Sequence, residues 1–268
     1  MKLAPILNAG LALVVAACGA DVGGASGDSY DTSVKQADEA RKAGDLDAAM
    51  PLYGRALQAK PDGIEAKLGL GQVYLSAGAP DEAAALFRDV LDKKASDQTA
   101  RRGLALALIS MGQPDLAERQ LEAALLADGR DYRTLNAYGV VLDMQGRHAE
   151  AQARYIQGIE LAPDYLPLRN NFGLSLAISG QPEEAIAQLT PLATSRGADG
   201  RVRQNLALAY AMNGDLENCL LVSRKDLSEQ SAQRQLQYFM QLRSLPVEAR
   251  SAELRRNPSF FPQAGGGG

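Results

Sequence analysis

The chain has no tryptophan, two cysteines and one histidine in 268 residues, and each shortage argues against a class of function. A metal site usually needs clustered histidine and cysteine ligands, which this composition does not supply. Two cysteines in unrelated surroundings also argue against a disulfide framework. Catalysis by Cys219 with His148 would need a third orienting group, and no motif around the pair supplies one. The sequence predicts no catalytic residue, no metal and no cofactor.

Excess positive charge is also lacking. The chain has 28 lysines and arginines against 32 acidic residues, a net charge of −4 and a pI near 5.2. A nucleic-acid-binding protein would present a basic face. Gly69 and Gly71 lie within a helical pattern rather than after a strand, so they do not form a phosphate-binding loop. We expect neither a nucleic acid nor a small-molecule substrate.

What the chain does have is a set of glycines at a fixed interval of 34 residues. A period between 20 and 50 residues indicates a stacked-repeat architecture, which offers an extended binding surface. The six glycines are Gly44, Gly78, Gly112, Gly146, Gly180 and Gly214.

Each glycine stands between two helical patterns, as expected for a left-handed helix cap. Prolines follow two residues after three of them, in the first turn of the next helix. In the fourth unit, small Gly139 and Ala151 and large Tyr155 flank Gly146 at −7, +5 and +9. The spacing resembles the tetratricopeptide repeat (TPR). It predicts an all-α, right-handed solenoid of about six helical hairpins, followed by C-terminal capping helices. Ser223 replaces the large apolar residue in the sixth unit, which we expect to degenerate into a cap.

The N-terminus resembles a secretory leader. Lys2 precedes an apolar stretch from residue 3 to 17 that is too short to span a bilayer, and small residues follow it. Cys18 comes directly after Ala16 and Ala17, as in a bacterial lipobox, so we expect its lipidation. The alternative is an ordinary cleaved leader that happens to abut a cysteine.

Two acyl chains would anchor the mature chain stably. Gly19 follows Cys18 where an aspartate would resemble an inner-membrane retention signal, which favours the inner leaflet of the outer membrane, facing the periplasm. The predicted organisation is a signal peptide, a flexible tether, the solenoid, capping helices and a disordered tail, at residues 1–17, 18–30, 31–223, 224–257 and 258–268.

The binding surface is expected in the concave groove, which the first helix of each TPR hairpin lines. Carboxamides at its fifth and sixth positions could hydrogen-bond the backbone of an extended peptide. Arginines near the helix starts either face this groove or form a solvated face. The predicted groove residues are Asn136, Asn170, Asn171, Gln204 and Asn205, with Arg133, Arg169 and Arg201.

Two further residues are predicted to have a structural rather than a functional role. His148 is predicted on a solvated helix start, and Cys219 in a small buried slot of the sixth repeat. The lysine and asparagine of a chaperone-tail clamp are not matched in the first unit, where Val34 and Asp38 stand.

Three segments go beyond the generic repeat: residues 136–151, 169–177 and 201–210. With residues 224–228 and Tyr238, they resemble TadD, the TPR lipoprotein family of the tight-adherence (Flp) pilus. That resemblance implies an adaptor that binds the outer-membrane secretin or another pilus component. The alternative is a general envelope scaffold that recruits enzymes of peptidoglycan or outer-membrane biogenesis.

Overall fold

The structure, a computed structural model, describes residues 25–195 and 198–257, and these fold into fourteen helices with no strand among them. The helices are α1 (Ala25–Lys42), α2 (Leu46–Ala59), α3 (Ile64–Ser76), α4 (Pro80–Lys93), α5 (Gln98–Ser110), α6 (Pro114–Ala127), α7 (Tyr132–Met144), α8 (His148–Leu161), α9 (Leu166–Ile178), α10 (Pro182–Thr194), α11 (Gly200–Asn213), α12 (Leu216–Ser223), α13 (Glu229–Ser244) and α14 (Val247–Arg255). The first twelve form six hairpins, here called repeats one to six, which confirms the predicted solenoid.

The periodic glycines close the first helix of each hairpin. All six have φ between +68° and +89°, and no other described residue type has a positive φ. At Gly146 an added Cβ would meet nothing within 4 Å. The requirement there is the left-handed backbone itself, which an L side chain disfavours.

A second kind of glycine lies inside the first helices and is needed for close packing. A Cβ on Gly139 would come within 2.3 Å of the Tyr155 ring, and one on Gly173 within 2.5 Å of Leu189. The missing side chain lets a large residue from the second helix reach the first helix backbone. This is the packing that the small and large positions of the repeat predict.

Successive first helices contact each other from α1 to α11, whereas second helices of neighbouring repeats make no mutual contact within the described residues. The array therefore curves with the first helices on its inner side. The concave face is built from α1, α3, α5, α7, α9 and α11.

The two C-terminal helices pack against different parts of the solenoid. Helix α13 packs on α11 and α12, with Phe239 and Leu242 fully buried, as a capping helix should. Helix α14 instead turns back and packs on α7 and α9. The sequence predicts the cap but not this return.

The predicted tether needs a correction at its C-terminal boundary. Helix α1 begins at Ala25, so residues 25–30 are helical rather than part of a linker. Tyr30 is buried, and its hydroxyl donates to Glu65 of α3 at 2.9 Å. This contact ties the first turns of α1 to α3.

Some predictions fall elsewhere on the chain. The leader, Cys18 and the tail at residues 258–268 lie outside the described residues. Over residues 25–195 and 198–257, none of the helices has the combined length and apolar character that a membrane crossing requires.

Candidate interaction surface

The concave face can be followed through three positions of each first helix. Residues four apart lie on the same side of a helix, so the fifth, ninth and thirteenth positions share one face. We call this set the groove face. In α3, α5, α7, α9 and α11 it consists of Leu68, Gln72, Ser76, Arg102, Leu106, Ser110, Asn136, Val140, Met144, Asn170, Leu174, Ile178, Gln204, Leu208 and Met212.

The predicted carboxamides do come together, as a ladder between helices. Asn171 Nδ2 donates to Asn136 Oδ1 at 3.0 Å, which links α9 to α7. Asn205 Nδ2 donates to Asn170 Oδ1 at 3.0 Å and links α11 to α9 in the same way. The position-six asparagine of one repeat thus donates to the position-five asparagine of the preceding repeat.

Asn171 and Asn205 are buried, with exposed fractions of 8% and 5%. This corrects the expectation that both are open to a ligand, because they lie behind the surface and tie first helices together. Asn136, Asn170 and Gln204 are half-buried. Asn136 only accepts in the ladder, so the ladder leaves its two N–H groups unused.

The predicted arginines have three different settings. Arg133 is exposed, and its guanidinium carbon lies 4.7 Å from the Tyr132 ring centre and 5.9 Å from that of Tyr165. Arg201 is exposed at the start of α11. Arg169 is half-buried, and within the described chain its buried Nε has no hydrogen-bond partner. The first two therefore supply the accessible positive charge.

Sequence reasoning missed the aromatic support of Arg133. The Tyr132 and Tyr165 rings meet edge to face with centres 5.0 Å apart. Burial raises the pKa of Tyr165, against the opposing effect of the Arg133 charge. The stacked rings hold the guanidinium in place by cation–π attraction. Two tyrosines just before or at the start of neighbouring first helices are the signal that could have revealed it.

Arg102, at the same position as Asn136 but in repeat three, is already paired. Its Nη1 donates to Asp131 Oδ2 at 2.5 Å, and Asp131 also caps α7 through the Arg133 N–H at 3.1 Å. Burial opposes ionisation of Asp131, but the Thr134 hydroxyl and the Arg102 charge outweigh it and lower the carboxyl pKa. Arg102 thus serves the fold and contributes little free charge to the groove.

A buried polar network lies behind the groove face of repeat four. Asp143 accepts from His148 Nδ1 at 2.7 Å, from Ser175 Oγ at 2.7 Å and from the Tyr155 hydroxyl at 2.9 Å. Burial raises the pKa of Asp143, although these donors act in the opposite direction. Ser251 of α14 completes the network, with its Oγ 3.2 Å from His148 Nε2.

This network overturns the expectation that His148 is solvated, because only 7% of it is exposed. Ser251, His148 and Asp143 stand in the order of a hydrolase triad. However, Ser251 is 2% exposed and Asp143 already accepts from two further groups. What the arrangement does here is join α7, α8, α9 and α14. Cys219 is fully buried as expected, and burial raises its pKa to about 11.

Helix α14 is held by four residues, which we call the clasp: Arg250, Ser251, Leu254 and Arg255. Arg250 Nη1 donates to the carbonyl of Ile178 at 3.1 Å, and Arg255 Nη1 donates to that of Met144. Both carbonyls belong to the last residues of first helices. A cation is favourable there because a helix C-terminus carries partial negative charge.

The groove face differs under and away from the clasp. Val140, Met144, Leu174 and Ile178 in repeats four and five are at most 4% exposed. At the thirteenth position of repeats two and three, Ser76 and Ser110 are exposed. The groove is therefore open along the N-terminal ends of its helices and covered at the C-terminal ends of α7 and α9. Within residues 25–195 and 198–257, no group of three His, Cys, Asp or Glu side chains could hold a metal ion.

Fold and surface together define an α-solenoid of helical hairpins with a concave interaction face. Residues 34–98 and 74–138 each match a family model described as tetratricopeptide repeat, and the helical hairpins form a TPR solenoid. Proteins built on this fold bind protein or peptide partners and typically act as scaffolds without enzymatic activity.

Curated relatives match over short segments. The uncharacterized protein y4yS of Sinorhizobium fredii is 41% identical over 64 residues, 24% of this chain and 35% of the relative. The TPR repeat-containing thioredoxin TTL4 of Arabidopsis thaliana is 33% identical over 92 residues, 34% of this chain and 14% of the relative. The chain therefore spans about a third or less of these relatives.

Solved structures match over most of the chain. A TPR protein from Parabacteroides merdae has a TM-score of 0.65 at 17% identity, with 79% of this chain and 84% of that chain covered. Pseudomonas aeruginosa PilF has 0.63 at 14% identity, with 81% and 99% covered. A thermophilic TPR protein from Thermus thermophilus has 0.61 at 21% identity, with 67% and 98% covered. These likenesses concern the fold alone.

Proposed function

We propose that the protein is a non-enzymatic adaptor that holds an extended segment of a partner protein along the open part of its groove. The observation that carries this proposal is the row of half-buried carboxamides Asn136, Asn170 and Gln204, one per repeat. A carboxamide both donates and accepts hydrogen bonds. A row of them therefore suits a peptide backbone, which offers an N–H and a C=O at every residue.

The exposed positive charge beside this row of carboxamides determines which peptide segments bind. Arg133 and Arg201 are exposed at its edge, whereas Arg102 is neutralised by Asp131. A bidentate bond from a guanidinium to a carboxylate is stronger than a neutral hydrogen bond. We expect an extended segment with acidic side chains or a free C-terminal carboxylate.

The cellular setting of the proposal comes from the sequence. The leader and Cys18 support a lipid-anchored protein in the cell envelope, at the inner leaflet of the outer membrane. The resemblance to TadD supports a role in assembly of the tight-adherence pilus, with the outer-membrane secretin or a neighbouring pilus component as partner. A general envelope scaffold is the competing function.

Site-specific photocrosslinking in the native cell tests the partner. A photoreactive residue at Asn136 or Gln204 should crosslink to the secretin or another pilus component. The matched control is Leu126, which is 90% exposed on the second helix α6, away from the groove. Equal crosslinking from Leu126 would argue against the groove, and crosslinks to peptidoglycan hydrolases alone would favour the general scaffold.

The anchor is tested separately. Cys18→Ala should abolish incorporation of labelled fatty acid and release the protein from the membrane fraction, without changing crosslinking at Gln204 in extracts. Unchanged membrane association would contradict the lipid anchor while leaving the groove proposal standing.

A further inference from the structure

Helix α14 rests on the solenoid through a small contact. Of its nine residues only Ser251 and Leu254 are buried. Apart from α13, from which it continues, α14 packs on α7 and α9 and touches α8 through the contact of Ser251 with His148. So short a helix is not stable by itself in water. Its order therefore depends on the surface beneath it.

The surface beneath α14 has the chemistry of a docking site. The C-terminal carbonyls of α7 and α9 accept from the arginines of α14, and its Leu254 belongs to the same apolar core cluster as Val140, Met144, Leu174 and Ile178. The apolar residues favour an aliphatic side chain, and the carbonyl ends favour cations. A helix that carries arginines beside a leucine meets both requirements. Helix α14 does so with Arg250, Leu254 and Arg255.

Removing α14 would leave the solenoid intact. Asp143 keeps its bonds to His148, Ser175 and Tyr155, since all three belong to α8 and α9. Only the 3.2 Å contact from His148 to Ser251 is lost from the network. The end of the solenoid stays covered, because α13 packs on α11 and α12 through its own side chains.

The link to α13 suits a hinge. Leu245 and Pro246 are extended, with ψ near 150° at both. A proline at this point separates the two helices, because its ring opposes continuation of α13. Helix α14 can thus leave while α13 stays in place.

We propose that α14 is a displaceable occupant of a second docking surface, formed by the C-terminal ends of α7 and α9. A partner's helix that carries two arginines beside a leucine takes the place of α14 there. This surface is separate from the open carboxamide strip, so the proposal does not depend on how that strip is used. When such a partner arrives, its helix would cover the surface that α14 covers in the free protein.

A labelled peptide of residues 246–257 tests the surface on the full chain. Arg250→Glu with Arg255→Glu places carboxylates against the helix carbonyls and should release α14 from α7 and α9. Fluorescence anisotropy should then show saturable peptide binding at least tenfold tighter than to the unaltered chain. In the unaltered chain the tethered helix competes at an effective concentration on the order of millimolar.

The matched control is Arg234→Glu with Arg256→Glu, which makes the same charge change. Arg234 bonds Ser231 and Arg256 bonds Glu253, both within their own C-terminal helices. This variant should bind the peptide no better than the unaltered chain. A peptide with Leu254→Asp should not bind the released variant.

Hydrogen exchange keeps the test valid if the released variant folds poorly. Excess unlabelled peptide added to the unaltered chain should speed exchange at residues 247–255 and leave residues 229–244 unchanged. Absence of peptide binding to a folded released variant would overturn the proposal. So would equal binding to both chains, or peptide binding without faster exchange in α14.

Discussion

Repeats two and three and repeats four and five have the same backbone but are held together differently. In repeats two and three the groove face ends in exposed Ser76 and Ser110. In repeats four and five it ends in buried Met144 and Ile178, and carboxamides link the first helices. The comparison teaches that a uniform repeat can carry an open surface at one end and a covered one at the other.

The polar network of Asp143 has no counterpart in repeat three, where the equivalent residue is Ile109, a buried apolar side chain. Asp143→Ala would leave the His148, Ser175 and Tyr155 donors unpaired in the interior. We expect a loss of about 3–5 kcal/mol in the free energy of unfolding, measured by urea denaturation. Asp143→Asn keeps an acceptor and should cost clearly less. Equal losses for the two variants would show that hydrogen bonding is not what matters there.

Gly139 marks a second difference, since repeat three has Ala105 at the same position. Gly139→Ala would place a Cβ 2.3 Å from the Tyr155 ring, and overpacking of this kind costs roughly 1–3 kcal/mol. In repeat three the residue at the position of Tyr155 is Leu121. Urea denaturation should show the loss, and Gly54→Ala, where no atom lies within 4 Å of the added Cβ, should show none. A neutral Gly139→Ala would mean that the Tyr155 ring can move aside.

The hydrogen bond from Asn171 to Asn136 makes a smaller contribution to the stability difference between repeats two and three and repeats four and five. Asn171→Ala removes a buried side chain whose Nδ2 bonds Asn136, and we expect a loss of about 1–2 kcal/mol in the free energy of unfolding. Gln72→Ala, at a half-buried position of repeat two, should stay within about 0.5 kcal/mol. A thermal melt of both variants is sufficient. Equal melting temperatures would show that the ladder stabilises nothing, and the asparagines would then be free to serve a ligand.

Local signals predicted most of the fold. Gly146 with its flanking residues determines where α7 ends and α8 begins, and this information lies within one repeat. The return of α14 depends on contacts such as that of Ser251 with His148, which are 103 residues apart. No local pattern encodes such a contact. The sequence does show one related difference: the thirteenth position of the first helix is methionine or isoleucine in repeats four and five and serine in repeats two and three.

The candidate site was predicted in part for the same reason. The TPR pattern predicted Asn136, Asn170 and Gln204 for the groove, and the structure has all three half-buried on first helices. The pattern did not distinguish the sixth position, where Asn171 and Asn205 turn behind the surface because a neighbouring helix offers them an acceptor. The burial of His148 likewise depends on α14, and nothing in the sequence of repeat four indicates that α14 packs there.

Tyr138 gives the smallest and most condition-dependent difference. Burial, together with the charges of Glu118 and Glu122, raises its pKa to about 12. Its hydroxyl donates to both carboxylates at 3.2 Å. A phenol ionises near pH 10 in the unfolded chain, so the folded state holds the proton more tightly. The stabilisation is complete below pH 10 and is lost as the pH rises towards 12.

Tyr138→Phe should therefore flatten the decline in unfolding free energy between pH 10 and 12, measured by urea denaturation at each pH. Tyr74 lies on α3 of repeat two, at a different position of the repeat from Tyr138, and Tyr74→Phe is the control for removing a tyrosine hydroxyl from a first helix. If Tyr74→Phe flattens the decline as much, the alkaline sensitivity belongs to tyrosines of the first helices in general. If only Tyr138→Phe does so, it belongs to the carboxylates that repeat three directs at repeat four.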